Sequence, residues 1–64
     1  MAKWKVHSKI VVHASDGGER KAKQLRDQYG PAAAKLGRSV NVYTIEGKRG
    51  KPTYWEIRVE EKID

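Results

Sequence analysis

The sequence predicts a small α+β domain of order β-α-β-β: a three-stranded sheet with one helix packed on one face. Three observations carry this reading. Strict alternation runs from Lys3 to Ser15, an apolar stripe at spacings of three and four runs from Ala22 to Leu36, and two more alternating stretches flank a Gly/Pro turn cluster at 47–52. Strand side chains alternate between faces, whereas helix side chains recur every three or four positions, so the two periods separate the elements.

In strand one, Trp4, Val6, Ser8, Ile10, Val12 and Ala14 share one face, which is expected to be buried. Lys3, Lys5, His7, Lys9, Val11 and His13 share the other, which is expected to be basic and to face solvent. Asp16-Gly17-Gly18-Glu19 follows and reads as a capping box, with the Asp16 carboxylate on free helix N–H groups and Glu19 reaching back. The helix then presents Ala22, Leu25, Tyr29, Ala33 and Leu36 as one stripe. Gly30-Pro31 interrupts it without shifting the phase, which predicts either one kinked helix or two short ones ending at Gly37.

Strand two is expected over 38–46, with Val40, Val42 and Thr44 on one face and Asn41, Tyr43 and Ile45 on the other. Strand three is expected over 53–61, with Trp55, Ile57 and Val59 inward and Tyr54, Glu56, Arg58 and Glu60 outward. The acidic tail 61–64 is expected to fray. A helix between strands one and two lets them run parallel, and the hairpin sets strand three antiparallel to strand two. Strand three therefore takes the middle, in the order 2-3-1.

Sixty-four residues leave room for one domain, spanning 1–64. A chain this short is marginally stable unless something adds to its core. It has no cysteine and hence no disulfide or thiolate metal site. His7 and His13 share a strand face but stand roughly 20 Å apart, too far to share a metal. No metal, cofactor or small-molecule substrate is expected, and a homodimer is one way to supply the missing burial. No apolar stretch is long enough to span a membrane, which makes the cytoplasm the expected location.

The formal net charge is +6, unevenly placed: residues 1–38 carry nine basic against three acidic side chains, and residues 39–64 carry five of each. Such asymmetry suits a polyanion. The expected nucleic-acid-binding residues are Lys3, Lys5, His7, Lys9, Tyr43, Tyr54 and Arg58 on the open sheet face, with Lys48, Arg49 and Lys51 on the hairpin loop 47–52. Cations neutralise phosphates and flat rings stack on unpaired bases, so single-stranded DNA or RNA is favoured over duplex. Gly47-Lys48-Arg49-Gly50 resembles the Gly-x-x-Gly clamp of KH domains in four residues only. That clamp joins two helices and this loop two strands, so nothing is carried over. Gly50-Lys51 is followed by Pro52 where a Walker loop needs Ser or Thr.

No serine–histidine–carboxylate set or carboxylate pair stands out, so no catalytic residue is expected and the chain does not read as an enzyme. The alternative is a protein-interaction module, such as a small regulator or inhibitor from a mobile element. It would act through an apolar patch of Val11, Tyr43 and Ile45 or through an edge strand.

Overall fold

The computed structural model describes residues 3–63. The chain forms β1 (Trp4–His13), a 3₁₀ turn (Ala14–Asp16), α1 (Gly18–Lys35), β2 (Ser39–Ile45) and β3 (Tyr54–Lys62). The sheet order is β1-β3-β2, with β3 antiparallel to both neighbours, as the connection argument requires. One face of the sheet carries α1; the other is uncovered. Buried Val12, Ala22, Ala33, Val40 and Ile57 form the core, with Leu25, Val42, Trp55 and Val59 packed against it.

A β-bulge at His7 alters half of β1. Ser8 pairs with Val59, Ile10 with Ile57 and Val12 with Trp55, which places them on the helix side. Across the bulge Val6 pairs with Glu60 and Trp4 with Lys62, so both lie on the open face. One extra residue inverts every side chain beyond it. Trp4 and Val6, expected in the core, are 52% and 46% exposed. Lys5, expected on the open face, opposes Glu61 on the helix side.

Other expectations are corrected at element ends. The capping box does not form: the 3₁₀ turn uses Asp16, and the helix N-cap is Gly17, at φ +109° with no side-chain cap. α1 is one helix with Pro31 inside it. It ends at Lys35 in a Schellman motif, where left-handed Gly37 (φ +74°) lets Gly37 N–H reach the Ala34 carbonyl and Arg38 N–H reach the Ala33 carbonyl, both at 3.0 Å. Tyr29 and Leu36 continue the stripe yet remain exposed, because α1 ends beside β1 rather than over its first half. The tail is not frayed through Lys62: Glu61 and Lys62 complete β3 opposite Lys5 and Trp4, and Ile63 N–H donates to the Lys3 carbonyl at 2.8 Å. Asp64 lies outside the described residues.

Candidate nucleic-acid interface

Cross-strand pairing turns the open face into rows. Val6, Glu60 and Ser39 form one; Lys9, Arg58 and Asn41 the next; then Val11, Glu56 and Tyr43; then His13, Tyr54 and Ile45 beside the hairpin. β3 thus runs two carboxylates down the centre of a face expected to be basic. Glu56 and Glu60 are only 7% and 4% exposed although no layer covers them. Neighbouring side chains roof them, and buried carboxylates require such partners.

Arg58 Nε and Nη2 donate to Glu56 Oε1 at 3.0 and 2.8 Å, with Lys9 Nζ 3.8 Å from Glu56 Oε2. Tyr43 Oη donates to Glu60, which also accepts from Asn41 Nδ2 at 3.0 Å. The Arg58 guanidinium carbon lies 4.2 Å from the Tyr43 ring centroid, a cation–π contact. The Glu60 hydrogen bond, with burial behind it, raises the Tyr43 phenol above its ordinary value. The bond to Glu56 likewise holds Arg58 more firmly protonated.

This network decides what the sequence-predicted residues can do. Lys9, Arg58 and Tyr43 come together, but on one another and on two glutamates. Arg58 and Tyr43 donate to these glutamates, whereas Lys9, with its side chain 52% exposed, stands 3.8 Å from Glu56 as an ion pair without a hydrogen bond. His7 projects from the bulge to the helix side, with Nε2 2.8 Å from Glu61 Oε1 and Arg38 Nε 3.9 Å from the same oxygen. Lys3 precedes β1, next to Ile63. Of the apolar patch, Tyr43 and Ile45 are neighbours along β2, while Val11 lies across Glu56 from Tyr43.

The hairpin tip behaves differently. Arg49 (φ +49°) and Gly50 (φ +83°) are both left-handed, and Lys51 N–H donates to the Lys48 carbonyl at 3.0 Å, the geometry of a type I′ turn. The neck below it is closed. Gly47 N–H donates to Thr53 Oγ1 at 3.1 Å, and a Cβ on Gly47 would overlap the Lys51 carbonyl oxygen and stand 2.7 Å from the Pro52 carbonyl carbon. Only glycine permits that approach. Lys48, Arg49 and Lys51 are exposed, and none pairs with a carboxylate among the described residues.

Directly below, the His13 and Tyr54 rings lie 6.0 Å apart, tilted by 47°. The hydroxyl of Tyr54, unlike that of Tyr43, donates to no side chain among the described residues. The start of α1 shares this end of the domain: a Cβ on Gly18 would sit 3.3 Å from the Trp55 ring, and Arg20 and Lys21 follow on the exposed side of the helix. The hairpin cations and the Tyr54 ring therefore share one end of the sheet, while Lys3, Lys5 and Lys62, also without a carboxylate partner among the described residues, lie at the other. His13 was not among the expected binding residues; its register opposite Tyr54 depends on the pairing of β1 with β3, which no local pattern states. Among the described residues, no three His, Cys, Asp or Glu side chains converge on a metal-sized site, and no helix is long and apolar enough to cross a membrane.

Compared with protein-family models, curated protein sequences and solved structures, the chain matches none.

Proposed function

We propose that this chain is a small nucleic-acid-binding protein that grips the phosphates of a single strand with Lys48, Arg49 and Lys51 and packs a base or sugar against the Tyr54–His13 pair. The observation that carries the reading is the hairpin tip. Three cations without carboxylate partners occupy one tight turn above a closed neck. A loop backbone fixed by its own hydrogen bonds presents these cations to phosphates without the cost of ordering the loop. Arg49 adds weight, because a non-glycine residue held left-handed costs about 1–2 kcal/mol that a glycine would avoid.

The open face contributes less than its lysine content suggests, because Glu56 and Glu60 already engage Lys9, Arg58 and Tyr43. A single strand, DNA or RNA, fits better than a duplex: the cations sit on a narrow tip, and the adjoining ring offers a surface for an unstacked base.

The test is fluorescence anisotropy with labelled single-stranded DNA, single-stranded RNA and duplex DNA over a range of salt. Each phosphate contact on a single strand contributes about 0.7 to the slope of log affinity against log salt, so replacing Lys48, Arg49 and Lys51 together with Ala should flatten the slope by about 2. Binding that ignores salt, or a slope unchanged in the triple variant, overturns the reading.

A further inference from the structure

The exposed large apolar side chains of this molecule gather around one strand. Trp4, Val6 and Val11 lie on the open face of β1, and Ile10 lies on its helix face beside Tyr29 and Leu36. Those last three help to line an open apolar groove of about 240 Å³ between β1 and the second half of α1. The outer edge of β1 is also unpaired, since the strand bonds only to β3. An edge strand with apolar side chains on both faces has the features of a strand-pairing site.

We infer that β1 pairs antiparallel with β1 of a second copy, joining two three-stranded sheets into one of six strands. Three quantities on the molecule point to a second copy. The chain exposes 4935 Å². A self-sufficient monomer of its 7.3 kDa exposes about 4,200 Å². The excess, roughly 750 Å², is close to the ~800 Å² that each partner buries in a standard interface. The radius of gyration, 12.8 Å, exceeds the roughly 10.7 Å of a compact domain of this length. The shape, 37 × 27 × 14 Å, is that of a slab, and of its two unpaired edges, β1 and β2, it is β1 that carries the exposed apolar side chains.

The pairing is self-complementary about a two-fold normal to the sheet. Ser8–His13 is the regular part of β1. A two-fold at Ile10 sets Ile10 against itself and Lys9 against Val11, with no lysine opposite a lysine. A two-fold at Lys9 would oppose the Lys9 side chains directly, which is unfavourable. The two apolar grooves then face each other, so Tyr29 and Leu36 of each copy approach those of the other. Pairing through the open face instead would desolvate the Glu56–Arg58 and Glu60–Tyr43 network. The hairpin tips point to opposite ends of the six-stranded sheet and remain free.

The test is sedimentation equilibrium of the full chain from micromolar to millimolar concentration, with hydrogen exchange of the β1 amides at both limits. The expected result is a species of twice the 7.3 kDa chain mass, with outward-facing β1 amides protected only at high concentration. Leu36 is 66% exposed, so Leu36→Glu leaves the monomer folded by circular dichroism. It raises the dissociation constant at least about a hundredfold, because the symmetry repeats the change in both copies. Alanine at Lys48, Arg49 and Lys51 leaves the mass unchanged. A single 7.3 kDa species throughout, or a dimer that survives Leu36→Glu with freely exchanging β1 amides, overturns the inference.

Discussion

Deleting one residue from the middle of a strand ordinarily turns half of its side chains to the wrong face. Deleting His7 should not. Val6 pairs with Glu60 and Ser8 with Val59, so the flanking residues already oppose consecutive partners, and His7 is the surplus residue. Its removal straightens β1 and leaves both halves in their present register. What is lost is the contact from His7 Nε2 to Glu61 Oε1 at 2.8 Å, made where His7 is half-buried. A side-chain hydrogen bond of this kind contributes about 1 kcal/mol, so the melting temperature should fall by about 4–8 °C in a domain of this size.

Deleting Val11 is the matching control. Closing the bulge at His7 would then carry Lys9 to the helix side and Ile10 to the open face, and keeping Ile10 in place would instead turn Val12 to the open face and His13 inward. Burying one such aliphatic side chain is worth about 1.5–3 kcal/mol, and the polar side chain that takes its place adds its own desolvation cost. Urea titrations followed by circular dichroism would measure both variants, and cross-strand nuclear Overhauser contacts would fix the register. The deletion of His7 should keep the Val6–Glu60 and Ser8–Val59 contacts. If it unfolds the protein as deletion of Val11 does, or moves Trp4 to the helix side, the bulge is misassigned.

Three further outcomes follow from the loop and the open face. Arg49→Gly should raise stability by about 1 kcal/mol by relieving a left-handed non-glycine residue, while weakening single-strand binding; calorimetry and anisotropy should move in opposite directions. Gly47→Ala should destabilise by about 1–3 kcal/mol, because its Cβ cannot share space with Lys51 and Pro52, and denaturant titration would read the loss. Tyr43 has its phenol pKa raised by the bond to Glu60, so its neutral form stabilises the fold fully below the ordinary tyrosine value of about 10, and that contribution disappears as pH rises through the folded-state value. The ultraviolet difference titration between wild type and Tyr43→Phe should place Tyr43 above about 10, and the variant should lose less stability on going to alkaline pH.

The architecture was legible because each element carries its own period. Val12, Ala22, Ala33, Val40 and Ile57 were all expected in the core and are buried there. The central position of β3 follows from connectivity alone. The bulge was not legible, because alternation through Trp4, Val6, Ser8 and Ile10 looks uninterrupted; His7 becomes surplus only when β1 is laid against β3. The capping box was misread for a related reason. Asp16 and Glu19 have the right spacing, but the 3₁₀ turn and left-handed Gly17 shift the helix start by one residue and turn the carboxylate away from the cap.

The same bulge separates the two surfaces of the molecule. Without it, Lys5 and His7 would join Lys9 on the open face and Trp4 and Val6 would lie on the helix side; with it, the apolar side chains reach the open face and Lys5 and His7 leave it. The remaining open-face cations Lys9 and Arg58 are matched by Glu56. Among the described residues the hairpin cations are free of carboxylate partners, as are Lys3, Lys5 and Lys62 at the far end of the sheet, and exposed apolar surface lies along β1. Polyanion binding needs mobile counterions to release and therefore exposed cations, whereas strand pairing needs apolar surface and an open backbone edge. Because these requirements are met by different elements, the triple alanine variant should lose single-strand affinity as a dimer, and Leu36→Glu should retain the affinity of each tip as a monomer.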